Sequence, residues 1–193
     1  MRHTEQGTTL HEVLVTLGIL SILASIGGYG LSQALPNYRL SSAARSLFFH
    51  IQEARSRAAY RATICYLDFD SDGDGHVGPG RCVLWEDLDN NGEKDPQEKE
   101  EPSFGLKEFP DVHFKAYPSE LGGPERGPNN TEIDAGGDDG VSFSKNRIKF
   151  NPTGTCTSGT IYLHNRKGQT YAIRLRYNGL AQLWRHNGDR WER

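Results

Sequence analysis

A single acidic residue, Glu12, lies at the start of an uncharged, mainly apolar run that extends from Val13 to Tyr38. A run of this length can cross a lipid bilayer as a helix. A charged side chain inside a bilayer costs roughly 2–3 kcal/mol or more unless it is paired, so a carboxylate placed there is a candidate functional residue. The alternative is a single-pass anchor in which an incidental carboxylate lies near the membrane interface.

The residues before the apolar run are few, polar and partly charged, and they end in Gly7. A secretory signal peptide has the opposite order, because its apolar core precedes a small-residue cleavage site. Cleavage after Gly7 would remove the charged segment and retain the apolar helix. We therefore expect residues 1–7 to be a leader, residues 8–37 a membrane-spanning helix and residues 38–193 a globular domain.

The residues around this junction resemble the class III signal of type IV pilins and type II secretion pseudopilins. Gly7, Thr9, Leu10 and Glu12 match that signal, and Thr8 occupies a position that is usually Phe. The resemblance implies that a prepilin peptidase cuts after Gly7 and methylates the new amino terminus at Thr8. It also implies that Glu12 pairs with the amino terminus of a neighbouring subunit, and a carboxylate in lipid does need a cation.

The rest of the chain has the pattern of a helix followed by antiparallel strands. Apolar residues from Leu40 to Ala58 recur at spacings of three and four, which predicts a helix that ends near Ala62 and buries one face. Strand-like segments follow at 63–69, 82–85, 112–117, 141–143, 147–150, 159–165, 169–176 and 180–185. This order predicts an α+β, pilin-like fold in which the long helix packs on antiparallel sheet.

The body is also similar to the H-type minor pseudopilins of the GspH/FimT family, from Gly7 to about Trp184. The segments that carry the similarity are the helix end Gln52-Glu53-Ala54-Arg55-Ser56-Arg57-Ala58-Ala59, the two cysteine-bearing strands with the Asp-x-Asp-x-Asn-Gly loop after Trp85, and the closing segments 150–154 and 159–163. The resemblance implies a structural subunit, not an enzyme, that initiates or caps assembly of a type IV pilus or a type II secretion pseudopilus. Its implied partners are other pilins or pseudopilins, the prepilin peptidase and the bacterial inner membrane, with the globular domain periplasmic or extracellular.

An acidic loop after the second strand has the spacing of a calcium-binding EF-hand loop. Oxygen-bearing side chains fall at positions 1, 3, 5, 9 and 12 of the loop, and a glycine falls at position 6. The candidate Ca²⁺ ligands are Asp87, Asp89, Asn91, Glu93, Asp95 and Glu98. The alternative is a solvated turn between strands. A second loop at 70–77 matches fewer positions, and Arg81 at its position 12 cannot ligate, so a plain turn is favoured there.

The chain has three cysteines, and a domain outside the inner membrane would hold them in an oxidising compartment. Cys65 and Cys82 lie on consecutive predicted strands that flank one turn, so we predict a disulfide between them. Cys156 is the expected odd cysteine, although its pairing with either of the others stays open.

Charge is segregated along the chain, although the net charge is only −3. Residues 66–140 contain twenty acidic and six basic residues, whereas residues 141–193 contain two acidic and ten basic residues. Such acidic and basic surfaces suit docking against neighbouring subunits. The histidines are scattered, and no group of His, Cys and acidic residues has the spacing of a zinc site, so catalysis is not predicted.

DNA binding is the alternative function, because some FimT-like proteins bind incoming DNA through arginines in a Gly-Arg-x-Arg segment. The matching segment here, 179–182, is Gly-Leu-Ala-Gln and has neither arginine. Basic residues do persist nearby, and Arg174, Arg176 and Arg185 are the candidate contacts. Repulsion between DNA and the acidic middle region argues against this function.

Overall fold

The computed structural model describes residues 9–69, 82–131, 133 and 140–193. The chain divides into two compact units, of which the first ends at Leu35 and the second comprises Pro36–Arg193. One long helix, α1 (Leu10–Arg61), contributes residues to both units and contains Pro36.

The first unit consists, among the described residues, of the apolar part of α1. It is the one described helix long and apolar enough to cross a membrane by length and composition, and its most apolar stretch is not buried. The hydroxyls of Thr16, Ser21, Ser25 and Ser32 donate to carbonyl oxygens three or four residues earlier. These hydroxyls are therefore satisfied inside the helix, as an apolar surrounding requires.

The second unit contains two antiparallel sheets. The small sheet is formed by β1 (Ile64–Asp68), β2 (Cys82–Asp87), β3 (Glu101–Phe104) and β5 (Arg147–Phe150) in the order β3-β2-β1-β5. The large sheet is formed by β4 (Val112–Phe114), β6 (Gly159–Asn165), β7 (Thr170–Leu175), β8 (Ala181–His186) and β9 (Trp191–Glu192) in the order β4-β6-β7-β8-β9. In the part of the chain that the structure describes, four short 3-10 helices lie between strands, at Leu106–Glu108, Ser119–Leu121, Pro128–Asn130 and Ser144–Asn146.

One core joins the second half of α1 to the inner faces of both sheets. The apolar stripe that the sequence predicted is buried, with Leu40, Ala43, Ala44, Leu47, Ile51, Ala54 and Ala58 all in the core. Leu67 and Ile148 of the small sheet and Ile161 and Ile173 of the large sheet belong to the same core. The α+β fold, with a long helix packed on antiparallel sheet, is confirmed.

The outer face of the small sheet is covered by the acidic loop that follows β2. On this face Tyr66 and Trp85 stack with ring centroids 4.4 Å apart, and Trp85 is fully buried. Arg147 donates from Nη1 to the carbonyl oxygen of Gly92 at 3.4 Å, and its guanidinium lies over both rings. The loop is thus held against the sheet by contacts at its middle.

The outer face of the large sheet carries a second, smaller apolar cluster. Tyr162 and Ala172 are buried there with Ala116, and Trp184 and Trp191 pack against them. The indole nitrogen of Trp191 donates to the carbonyl oxygen of Arg126 at 2.7 Å. Residues 116–131, which follow β4, therefore lie over part of the large sheet as the acidic loop lies over the small one.

Some predicted strands differ from those observed. The segment predicted as a strand at 141–143 forms a single bridge, between Val141 and Ile161, and then enters a 3-10 helix. Two short strands, β3 and β9, were not predicted at all. Helix α1 ends at Arg61, and the next residue, Ala62, has a left-handed backbone with a φ of 53° that stops the helix close to the expected position.

Candidate functional site

The first turn of α1 places Glu12 at a helix start. Thr9 precedes the helix, and its Oγ1 accepts a hydrogen bond of 3.3 Å from the backbone N–H of Glu12. Thr9 and Glu12 thus have the spacing of a capping box, in which a Glu or Gln side chain can also reach back to the capping residue. The carboxylate is favourably placed at the positive end of the helix dipole. Gly7 and Thr8, the predicted cleavage and methylation positions, lie outside the described residues.

The acidic loop brings three of its six predicted ligands together. Carboxylate oxygens of Asp87, Asp89 and Glu98 all lie within 4.8 Å of one another. Asp87 is fully buried at the end of β2 and Glu98 is 6% exposed, whereas Asp89 is exposed. Three carboxylates at this separation repel one another, and a cation between them would remove that repulsion.

Backbone N–H groups already shape this cluster. Asp87 accepts from the N–H groups of Asn91 and Gly92, each at 3.1 Å. Glu98 accepts from Leu88 N–H at 2.8 Å and from Asp95 N–H at 3.1 Å. Gly92 has a φ of 77°, which is the backbone that a sharp turn at position 6 of an EF-hand loop needs.

The remaining three predicted ligands are arranged differently. Asn91 donates from Nδ2 to Asp89 at 2.9 Å and to Asp95 at 3.1 Å, so its amide lies between two carboxylates. Glu93 is exposed and is not a member of the three-carboxylate cluster. In an EF-hand loop position 7 ligates through its backbone carbonyl, so the side chain of Glu93 is not required.

Burial gives Asp87 an unusual proton affinity. It raises the pKa of the Asp87 carboxyl, the N–H of Gly92 lowers it in part, and the negative charge of Glu98 raises it again. A buried carboxylate facing a second one is unfavourable as an anion unless a cation is near. The donor set consists of hard oxygens, which fits a group 2 cation and not a softer metal.

The second acidic loop, 70–77, lies outside the described residues, as does Arg81.

The predicted disulfide between Cys65 and Cys82 is incompatible with the strand register. Cys65 lies opposite Glu86 and Asp68 lies opposite Val83, so Cys82 is four residues along the strand from Cys65. Four residues of strand span about 13 Å, and a disulfide needs Cα atoms within about 7 Å. Cys65, Cys82 and Cys156 are all free and buried. Burial raises the pKa of the Cys65 thiol to about 11 and that of Cys82 to about 12, which disfavours the reactive thiolate form.

The three arginines considered for DNA binding do not share one surface. Arg174 pairs with Gln182 across β7 and β8, whereas Arg185 pairs with Tyr171. Since side chains alternate along a strand, Arg174 and Arg185 lie on opposite faces of the large sheet. Arg174 and Arg176 line one open surface pocket, and Nη1 of Arg174 is already bonded to the carbonyl oxygen of Pro128 at 3.1 Å.

The structure also assembles a pair of histidines that sequence reasoning did not find. His113 of β4 and His164 of β6 are direct partners in the sheet register, 51 positions apart in sequence, and their ring centroids are 5.5 Å apart. Spacing along the chain gives no signal for this pair, because only the pairing of β4 with β6 brings the two rings together. The same applies to Asn37 and Asn165, which are joined by a hydrogen bond across 128 residues.

A long apolar helix that continues into a core helix packed on antiparallel sheets defines a pilin-like subunit. The family model described as type II transport protein GspH matches residues 43–181, which is most of the chain. The chain therefore belongs to the GspH family, and it is a type IV minor pilin or pseudopilin of the GspH type.

Two solved structures have a similar fold. The minor pseudopilin EpsH from the type 2 secretion system of Vibrio cholerae is 10% identical with a TM-score of 0.43, and the match covers 75% of this chain and 95% of that one. The type IV minor pilin FimU of Pseudomonas aeruginosa PAO1 is 16% identical with a TM-score of 0.46, and the match covers 81% of this chain and 94% of that one. No curated protein matches the sequence.

Proposed function

We propose that this chain is a structural subunit that initiates or caps assembly of a type II secretion pseudopilus or a type IV pilus. The observation that carries the proposal is the position of Glu12, an acidic residue in the first turn of a helix whose apolar side chains are exposed from Leu10 to Leu35. A helix of this kind is stable in lipid or in a bundle of like helices. Its single carboxylate then needs a cation from a partner.

The cation is the amino terminus of a neighbouring subunit. Cleavage after Gly7 by a prepilin peptidase would free the ammonium of Thr8, which is then methylated. An ammonium and a carboxylate that meet in lipid neutralise each other, so this ion pair is favoured. A packing of neighbouring helices that leaves either charge unpaired is disfavoured. The subunit is anchored in the inner membrane before assembly, with residues 38–193 on the periplasmic side.

The test compares two substitutions of Glu12 in the native host. Glu12→Ala removes both the charge and the capping-box side chain, whereas Glu12→Gln removes the charge alone, because Gln also serves in a capping box. We expect both variants to reach the membrane and neither to enter filaments sheared from the cells. Incorporation of Glu12→Gln at the wild-type level would limit the role of Glu12 to helix capping and would contradict the proposal.

The position in the filament has its own test. A subunit that initiates or caps assembly is present at filament ends, and its deletion lowers the number of filaments more than their length. Immunogold labelling of sheared filaments distinguishes the ends from the shaft. Labelling along the shaft would assign the chain to the filament body. In a deletion strain, loss of secreted type II substrates indicates a pseudopilus, and loss of surface pili indicates a type IV pilus.

We also propose that the loop from Asp87 to Glu98 binds Ca²⁺. The support is the convergence of Asp87, Asp89 and Glu98 within 4.8 Å, with two of the three carboxylates buried. Asn91 and Asp95 are within hydrogen-bond distance of each other beside this cluster. Glu93 is at position 7 of the loop, which in an EF-hand ligates through its backbone carbonyl. Bound Ca²⁺ would fix the loop over Tyr66 and Trp85 and so stabilise the small sheet.

A further inference from the structure

The outer face of the large sheet carries two imidazoles that face each other at its edge. His113 and His164 are directly opposite in the β4–β6 register, with ring centroids 5.5 Å apart and an interplanar angle of 36°. β4 is the edge strand of this sheet, His113 is exposed and His164 is half-buried. We propose that His113 and His164 together bind a transition-metal ion of the Zn²⁺ type, a site separate from the acidic loop.

The hydrogen bonding of His164 leaves the correct nitrogen available to a metal. Its Nδ1 is 2.9 Å from the backbone carbonyl oxygen of Lys115. A carbonyl oxygen only accepts, so Nδ1 carries the proton and Nε2 keeps a free lone pair. Histidines that ligate metals commonly donate their second ring N–H to a backbone carbonyl or a carboxylate in this way, which fixes both tautomer and ring orientation.

The separation of the rings matches that of a chelating pair. Zn–N bonds of about 2.1 Å at a tetrahedral centre place two imidazole centroids about 5 Å apart. The observed separation of 5.5 Å is close to that value. Both residues are on a sheet, and a rigid backbone reduces the ordering cost of binding.

The surroundings of His164 disfavour a positive charge on its ring. Burial lowers the pKa of His164, and the positive charges of Lys115 and His113 lower it further, while the hydrogen bond to the Lys115 carbonyl raises it in part. The lowered pKa favours the neutral imidazole over the charged one, and neutral imidazole is the form that ligates a metal. The Lys115 ammonium also opposes a bound cation, so we expect an affinity in the micromolar range and not that of a structural zinc site.

The ligand chemistry separates this site from the acidic loop. Imidazole nitrogen prefers Zn²⁺, Cu²⁺ and Ni²⁺, whereas the carboxylates of Asp87, Asp89 and Glu98 prefer hard cations such as Ca²⁺. Two protein ligands leave two positions of a tetrahedral ion to water. Loss of metal binding at one of these two sites would leave binding at the other unaffected.

The experiment titrates the full-length chain, in detergent micelles and without a polyhistidine tag, with ZnCl₂ in a calorimeter. Excess Ca²⁺ is present so that the acidic loop does not take up Zn²⁺. We expect one Zn²⁺ per chain, and we expect His113→Gln and His164→Gln each to weaken binding roughly tenfold or more, since loss of an outer partner alone costs that much. X-ray absorption at the zinc edge should show two imidazole ligands in the wild-type protein.

The matched control is His50→Gln. His50 is also half-buried and lies 3.3 Å from Glu53, so it is a histidine beside a carboxylate that the proposal does not use. Zn²⁺ binding should be unchanged in this variant. His113 is exposed, so its substitution leaves the fold intact, which circular dichroism checks. Wild-type Zn²⁺ affinity in His113→Gln, or loss of binding only in an Asp87→Asn and Glu98→Gln variant, would overturn the proposal.

Discussion

The side-chain amide of Asn165 donates a hydrogen bond of 2.9 Å to Oδ1 of Asn37. Asn165 is fully buried at the end of β6, and its Oδ1 accepts from the N–H groups of Lys167 and Gln169 in the following turn. One amide thus shapes the β6–β7 turn with its oxygen and holds α1 with its nitrogen. The contact is one residue after Pro36, where the second unit begins.

Replacement of Asn37 by Leu should destabilise the second unit by about 1–3 kcal/mol, because the buried Nδ2 of Asn165 would lose its acceptor. Asn37→Asp keeps a hydrogen-bond acceptor at the same place and should lose less stability than Asn37→Leu. Thermal unfolding followed by circular dichroism measures both variants. Equal melting temperatures for Asn37→Leu and Asn37→Asp would show that the hydrogen bond contributes nothing.

Much of the fold was predictable, because it follows from hydrophobic periodicity and turn chemistry. The apolar stripe of α1 recurs every three or four residues, and the strands β5 to β8 were predicted from apolar segments bounded by turn residues. β3 was missed because Glu101–Phe104 has an acidic start and a proline, and only its pairing with β2 at the sheet edge makes it a strand. β9 has two residues, too few for any periodic signal.

The candidate sites also differ in how far the sequence predicted them. The three-carboxylate cluster lies within one loop, so local spacing was enough to predict three of its members among the six proposed ligands. The Cys65–Cys82 disulfide prediction was wrong because proximity across a hairpin depends on register, and the observed register places Cys82 four residues along the strand from Cys65. The His113–His164 pair was missed because its two strands are not neighbours in sequence.

Processing of the amino terminus is testable by mass spectrometry. We expect the membrane-extracted protein to begin at Thr8 and to carry one additional methyl group, because a short charged leader precedes a retained apolar helix. Gly7→Leu should block cleavage and leave residues 1–7 attached. The class III signal would be excluded if the protein kept its leader in a host with an active prepilin peptidase.

Calcium should raise the melting temperature of the wild-type protein, because an ion that binds only the folded loop stabilises the fold, by about 2.7 kcal/mol at a hundredfold excess over its Kd. Combined Asp87→Asn and Glu98→Gln should abolish the shift. Glu93→Gln is the matched control, since it makes the same charge change outside the three-carboxylate cluster. Trp85 fluorescence provides a second measurement. Identical melting in Ca²⁺ and in chelator would favour the plain turn.

The stability should fall as the pH drops below about 6.5, the unfolded pKa of histidine. Burial lowers the pKa of His186, and the charge of Asp189 offsets this only in part. The folded state therefore favours the neutral ring, and stability decreases from the unfolded pKa down to the folded one. His186→Asn keeps an acceptor for the N–H of Gly188 and should reduce the difference in melting temperature between pH 7.5 and 5.5. An unchanged pH profile would show that His186 does not titrate in this range.

Gly179→Ala should be strongly destabilising, for two reasons that can be separated. Gly179 has a φ of 77°, and an added Cβ would lie 2.1 Å from the carbonyl oxygen of Gly154 and 2.7 Å from Nε of Arg55. Gly122 has a φ of 93° with open space around the added Cβ. Gly122→Ala therefore measures the backbone strain alone, about 1 kcal/mol or slightly more. Equal losses of stability in the two variants would show that the clash at Gly179 is relieved by relaxation.

The loops that cover the outer faces of the two sheets have an evolutionary consequence. The acidic loop lies over Tyr66 and Trp85, and the described residues after β4 lie over Tyr162. Loops of this kind tolerate insertion and replacement far better than the strands they connect. Related subunits with this fold can therefore keep the same assembly helix and still differ in the loops on their outer surfaces. A filament held together by one kind of helix contact can then present different surfaces at successive positions.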